Sequence, residues 1–448
     1  MPGPRVTPVQ GDLTIPETVD VVVIGGGIIG TSAALELAER GQRVALCEKG
    51  GIGQEQSSRN WGWVRMSRRD PREIPLMAKT LELWRSLESR IGRSVGYRQT
   101  GILFACEDDQ TLANHDRWRR HLDGTGIESR LLTDRELRDN FPGCQLSAKG
   151  GLLTPSDGRA EPQQAAPAIA EAARDKGAHI LTECAVRGID TAAGQVTGVM
   201  TERGFIRCQS VILAGGAWSN LFCGRHGLDL PQLRVINDVL RTSPINGPDT
   251  AMWASGFALR KRQDGGYTIA NGGGNRAPIV PDTFRYMRRF LPALRTERRG
   301  VKPRLGWQFL DDARVPKRWS LDESSPFEYH RVLDPKPSRE RGDEAWKKLV
   351  QAFPVFKEAS IEQRWAGSID VTPDAIPVIS PVDTLPGLVI ATGFSGHGFG
   401  IGPGAGRLAA DLALNDTPFS DPHAFRFSRF TDGSKLRPDS GFGLPQTD

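Results

Sequence analysis

One stretch near the start of the chain limits the fold more than any other. It reads "VDVVVIGGGIIGTSAALELAERG", residues 19–41. The β-branched run from Val19 to Gly25 has the pattern of a strand buried on both faces. Three consecutive glycines follow, then Ala and Leu at helical spacing, with Gly41 as the stop. The run is long and apolar enough to imitate a membrane span. Glycines in its middle fit a sharp turn better than a continuous helix. "RVALCEK" supplies a second strand, so the chain opens on a β-α-β unit.

Gly25, Gly27 and Gly30 have the GxGxxG spacing of a dinucleotide site. The first glycine permits the turn, the second lets backbone approach a pyrophosphate, and the third lets the helix pack on the strand. Ile28 and Ile29 then begin a helix whose free N–H groups and positive dipole end attract phosphates. Glu48 ends the second strand beside Lys49, 23 residues beyond Gly25, where an acid hydrogen-bonds ribose hydroxyls. An acid there favours a free 2′-hydroxyl, hence FAD or NAD over NADP.

A second glycine-rich stretch, "ATGFSGHGFGIGPGAGR", lies near the other end, preceded by the buried-strand pattern of "GLVIATGFSG". Between the two, helical patterns occupy Ile74 to Arg90 and Thr111 to Leu122. A helix and strand run through "EPQQAAPAIAEAARDKGAHILTECAVRGID", and "GQVTGVMTERGFIRCQSVILAGG" reads as an antiparallel pair followed by a buried strand. Residues from about 230 to 363 are richer in Arg, Pro and Trp and alternate irregularly, as in a second, mostly antiparallel domain. The first eighteen residues read as a loose tail without the apolar core of a signal peptide.

With 448 residues there is room for two or three units, and 38% hydrophobic with 25% charged residues is ordinary globular composition. The formal charge of +5 comes without a basic run interleaved with aromatics, which argues against nucleic acid. The strongest basic cluster, Arg285 to Gly300, reads as a solvated helix face. Six scattered cysteines lack CxxC pairs and histidine partners, so neither a metal site nor a disulfide framework is expected, and a cytoplasmic location is.

The opening thirty residues resemble the start of the D-amino-acid oxidase-type flavoproteins, the family of glycine oxidase, sarcosine oxidase and γ-glutamylputrescine oxidase. "SSRNWGW", "SVILAGGAWS", "RWAGSIDVTPDAIPVI" and "PGLVIATGFSGHGFGIGPGAGRLAADL" are similar to that family's further motifs, in its order, across residues 20–412. The resemblance implies an α/β fold. A Rossmann-type FAD-binding domain, built from residues 19–95, 150–229 and 364–448, would join an antiparallel substrate domain with helices, residues 96–149 and 230–363. It implies that Ser57, Ser58, Arg59, Asn60 and Trp61 wrap the cofactor, and that Val186 reads adenine through its backbone or is an ordinary buried strand residue. It also implies cofactor contacts from Ala214, Gly215 and Trp218, and from Gly393, Gly396, His397, Gly398, Phe399, Gly400 and Ile401. The loop Gly393 to Gly404 would bring bare backbone to the isoalloxazine, with a helix beginning near Gly404.

Positions where relatives attach flavin covalently hold no cysteine or histidine here, so FAD is expected to dissociate. The implied reaction moves a hydride from a carbon beside nitrogen to flavin N5, and water hydrolyses the resulting imine. The substrate is then a small amine or amino acid, and oxygen or another acceptor takes the electrons. Ile369 stands where amino-acid-oxidising relatives carry a carboxylate-binding arginine. Arg65 is the substitute candidate, against a plain salt bridge. Asp370 is a candidate amine anchor, and His397 a flavin contact or acid/base group. Trp61 and Trp63 wall an aromatic pocket or pack the core. Two alternatives stay open: oxidation of a 2-hydroxy acid or polyol, and a flavin subunit that needs a partner subunit.

Overall fold

The computed structural model describes residues 3–296 and 301–438. Residues 297–300 of the basic cluster lie outside them. Val21–Ile24 sits inside a six-stranded sheet ordered Val378–Pro381, Leu388–Thr392, Ser210–Leu213, Val21–Ile24, Val44–Cys47, His179–Leu181. The last five strands are parallel and the first is antiparallel to its neighbour. All four residues of Val21–Ile24 are buried, because both faces of the sheet are covered. Alternate side chains serve the two covers. Val21 and Val23 pack with the helices Ile28–Glu39, Pro162–Asp175 and Gly398–Ala413. Val22 and Ile24 pack with a three-stranded antiparallel sheet, Val186–Ala192, Gln195–Thr201 and Gly204–Arg207. Burying each such side chain is worth about 1.5–3 kcal/mol.

The second large sheet is mostly antiparallel. Leu233–Thr242 pairs with Ile361–Val371 on one side and with Tyr267–Ala270 on the other. Beyond these run Phe257–Lys261, Ala251–Ala254, Ile102–Cys106, Gly150–Thr154 and Arg130–Thr133. Helix Arg339–Ala352 closes its core through Ala345 and Leu349. Two expected boundaries fall inside this sheet: Gly150–Thr154 and Ile361–Val371 are both strands of it. A short apolar run carries no mark of which sheet receives it, so spacing alone misassigns such strands. The pairing of 361–371 with 233–242 delivers Ser368, Ile369 and Asp370 to a cleft shared with the parallel sheet.

The N-terminal segment is not loose. Thr7 donates to the Gln163 carbonyl, Asp12 exchanges bonds with Ile180, and Thr18 bridges to Arg207. Its polar, proline-rich composition hides this, because most of the anchoring bonds are made by backbone.

Candidate active site

A cleft with about 1250 Å³ of empty space runs along the carboxyl ends of the parallel strands, where ligands bind in open α/β sheets. Its first wall is the turn after Val21–Ile24. Gly25 has φ +108°, and a Cβ there would stand 2.5 Å from the Ala214 carbonyl oxygen, so only glycine fits. Gly27, Ile28 and Ile29 line the cleft, whereas Gly30 lies behind it. A Cβ on Gly30 would overlap the Gly25 carbonyl, so its part is the close packing of helix on turn.

Glu48 lines the opposite wall, accepting from the amides of Gly26 and Gly50 at 2.7 Å each. Burial pushes its carboxyl up, and Lys49 and the two amides oppose that. Lys49 donates to Glu55 Oε1 at 2.8 Å and lies over the Trp218 ring. Ser57 Oγ accepts from the Ile28 amide at 2.9 Å, and Asn60 ties the loop to itself through Gln56 and Ser57 carbonyls. Val186, Ala214, Gly215 and Trp218 complete that end.

Several expected contacts stand back from the cleft. Ser58 is buried and bonds the Glu55 carbonyl. Arg59 pairs with Asp334 at 2.6 Å and donates to the Ala366 carbonyl. Trp61 donates its indole N–H to Asn237 at 2.7 Å. These groups hold the loop in place. The cleft also takes in Gln54, Glu55, Gln56, Phe222, Phe327 and Arg331, none of them expected from sequence. Phe327 and Arg331 come from an irregular stretch far along the chain, which no motif marks.

The other end of the cleft differs from the sequence reading. The helix begins at Gly398, not near Gly404, and runs to Ala413. Gly393, with φ +77°, gives its amide to Asp370 Oδ2 at 2.7 Å. Gly396, Gly398 and Phe399 line the cleft. Gly400 faces away, against the Trp63 carbonyl, and Ile401 is buried. A Cβ on Gly402 would sit 2.7 Å from Ile28 Cγ1, and one on Gly406 2.5 Å from Ser32 Cβ. Gly402 and Gly406 therefore let two helices touch. The first turn still presents a helix N-terminus to the cleft.

Behind that turn lies a buried charge cluster. Arg69 donates to the His397 carbonyl at 3.1 Å and to Glu73 at 3.4 Å. His397 Nδ1 stands 3.6 Å from Glu73 Oε2. Burial and then Arg65 drive the His397 ring down to about 4, so it is neutral at neutral pH. Arg65 is 8% exposed, donates to the Ser67 carbonyl and lies 5.8 Å from the Phe104 ring. It carries no ion pair among the described residues. Trp61, Trp63, Phe104 and Trp253 form a chain of ring contacts at 5.1–6.1 Å beside it. Asp370 lines the cleft, and its Oδ2 accepts from Gln232, Thr392 and the Gly393 amide. That fixes the strand end and leaves the oxygen no room for a substrate ammonium.

The walls fit FAD. Glycines keep both turns free of side chains, one helix start faces each end, and Gln56 Oε1 is buried on the wall without a partner.

Comparison with known proteins agrees with this geometry. An L-amino acid deaminase from Proteus myxofaciens, solved in complex with anthranilate, superposes with a TM-score of 0.92 at 34% identity, covering 95% of this chain and 97% of that one. Human mitochondrial sarcosine dehydrogenase is 25% identical over 93% of this chain, and this chain spans 42% of its length. The beta subunit of sarcosine oxidase from Rhodobacter capsulatus is 24% identical, over 93% of this chain and 90% of the subunit. The chain thus spans under half of some relatives and nearly all of others. The family model "FAD dependent oxidoreductase" matches residues 20–412, and the chain belongs to that family of FAD-dependent enzymes.

Proposed function

We propose that the protein oxidises the C–N bond of an amino acid to an imine, with the substrate carboxylate held by Arg65 and an apolar side chain held among the tryptophans. The observation that carries this reading is Arg65 itself. A buried guanidinium with no ion pair among the described residues, eased only through space by Asp157 and Glu73, is costly, and an incoming carboxylate relieves that cost through charge-assisted bonds. The relative that binds anthranilate, an aromatic carboxylate, supports the same pairing of ring and charge. Ile369 on the cleft wall adds apolar surface where an arginine would otherwise serve.

FAD, bound without a covalent link, supplies the two-electron acceptor when it occupies the cleft. The residues do the rest. Gly25, Gly27 and the helix start at Ile28 would receive the pyrophosphate, and Glu48 would hold the ribose. The first turn of Gly398–Ala413 would offer its positive end to the ring, where a helix start stabilises negative charge by about 0.3–1 kcal/mol or more when partly buried. His397 stays neutral at neutral pH. The substrate loses two electrons and two protons, one from carbon and one from nitrogen. Water then adds to the imine carbon and releases the amine nitrogen and a carbonyl product.

The test compares Arg65→Lys and Arg65→Ala with the native chain on an amino acid and on the matching amine without its carboxylate. The Michaelis constant for the amino acid is expected to rise on the order of 100-fold in the alanine variant, the loss of a charge-assisted pair of about 3 kcal/mol. The amine is expected to be unaffected. Equal effects on both substrates would remove Arg65 from the carboxylate site.

A further inference from the structure

Phe327 and Arg331 stand on the cleft wall without a part in the function above. We propose that residues 319–334 form a strap that closes the adenosine end of the cleft over bound FAD, with Phe327 as its cover and Lys49 with Glu55 as its latch. This strap requires the ribose to lie at Glu48, as proposed above, and is independent of which substrate is oxidised.

The segment is attached as a strap would be. It runs between the helices Gln308–Arg314 and Arg339–Ala352, and the second of these belongs to the core of the antiparallel sheet. The segment itself packs on the other domain, where Trp319, Phe327 and Leu333 join the cluster that holds Val186 and Trp218. Among the described residues it contains one four-residue helix, Pro326–Tyr329, and no strand. Its backbone bonds are local, from Glu328 to the Ser325 carbonyl and from His330 to the Pro326 carbonyl. No strand ladder holds it down, so side chains anchor it. At the near end the Trp319 indole donates to the Arg187 carbonyl at 2.8 Å, and Arg187 donates twice to Glu328 at 3.0 Å. Segments with few backbone ties are those that open locally while the rest of a fold stays closed.

The far end is held by one lysine. Lys49 donates to the His330 carbonyl at 2.9 Å, to the Arg331 carbonyl at 2.6 Å and to Glu55 at 2.8 Å. An ammonium has three donors. The lysine beside the nucleotide turn therefore spends them all on this seat and keeps none for a phosphate. Glu55 accepts in turn from the Leu333 amide at 2.9 Å and the Trp218 indole at 3.0 Å. Arg331 returns a bond to the Lys49 carbonyl at 2.8 Å and pairs with Glu202. The seat is close, because a Cβ on Gly50 would stand 2.9 Å from the Arg331 carbonyl oxygen. So seated, the strap sets Phe327 edge to face on Trp218 at 5.9 Å, on the wall shared with Glu48 and Val186. A nucleotide leaving that end passes Phe327, so release needs the latch to open, as with other loops that close over a bound ligand. Partly exposed ion pairs are individually weak, which makes the closure reversible.

The test follows the fluorescence of FAD released from the loaded chain after dilution, together with hydrogen exchange. Lys49→Met keeps an apolar stem against Trp218 and removes the three bonds. It is expected to speed FAD release by about tenfold or more, through loss of charge-assisted bonds. The absorption of the bound flavin and the cooperative unfolding of the flavin-free chain are expected to be retained. Glu55→Gln keeps an acceptor for Leu333 and loses the ion pair, so a smaller change in the same direction is expected. Amides of residues 319–334 are expected to exchange more slowly with FAD bound than without it, and Lys49→Met should cancel that protection in this segment. Release unchanged in both variants, or exchange in the segment indifferent to FAD, would overturn the strap while leaving the FAD site intact. A chain that takes up no FAD would overturn both.

Discussion

The two glycine-rich stretches look alike in sequence and do different work. In the first, Gly25 turns the chain at φ +108°, Gly27 opens the cleft, and only Gly30 serves packing. In the second, Gly393 and Gly396 make the turn, Gly398 lines the cleft at the helix start, and the glycines from 400 to 406 sit inside a helix. There they let Gly398–Ala413 press against Ile28–Glu39, the Trp63–Val64 strand and, through Gly404, the helix Ile74–Ile91. Glycine in a helix interior costs about 1 kcal/mol relative to alanine. The return is close contact between the two helices that start at opposite ends of the same cleft. Abundant glycine therefore marks bare backbone at a ligand in one place and bare backbone at a neighbouring helix in the other.

Substitutions can break or sharpen that contrast. Gly30→Ala should act most strongly, because its Cβ would meet the rigid backbone of Gly25. A loss of about 3 kcal/mol or more, with flavin lost as well, is expected in denaturant titrations and flavin content. Full stability with full flavin would show that the first turn is looser than described. Gly406→Ala should cost about 2–3 kcal/mol through Ser32 and the Ala33 backbone. The flavin dissociation constant should change little, since Gly406 is remote from the cleft. Weakened flavin binding at unchanged stability would erase the distinction between the two stretches.

His397 distinguishes the second turn by titration. Its ring falls to about 4 from an ordinary 6.5, so between those values the unfolded chain binds more protons. Stability from this group is complete above pH 6.5 and is lost as pH falls toward 4. By the linkage of pKa to stability, His397→Asn should flatten the acid limb by roughly 3 kcal/mol, read as the difference between native and variant unfolding. Parallel curves would mean that Glu73 keeps the ring charged. The smallest effect is expected from Gly396→Ala. Its φ is +87°, but a Cβ would meet only Ile369 at an ordinary 3.8 Å. The cost is then backbone strain of about 1 kcal/mol.

The parallel sheet and its first turn were legible because one local pattern, strand, glycines and helix, fixes them together. Val186, Trp218 and Phe399 reached the cleft because their surrounding motifs were recognisable. Phe327, Arg331 and Gln54 could not be read, because packing from distant segments brings them in and no periodic signal marks them. The helix start at Gly398 was missed because glycine has low helix propensity, which the packing against Ile28 and Ser32 overrides. Asp370 was legible as a candidate amine anchor near the site. Its bonds to Gln232, Thr392 and Gly393 depend on strand register, which sequence spacing does not show.

The central claim is that both turns close on one dissociable FAD. The direct measurement is the absorption spectrum of the purified chain, followed by acid precipitation and assay of the supernatant. One FAD per chain is expected, yellow in the native protein and released into solution on unfolding. A colourless chain that takes up no added FAD, or a flavin that stays with the precipitate, would contradict the account.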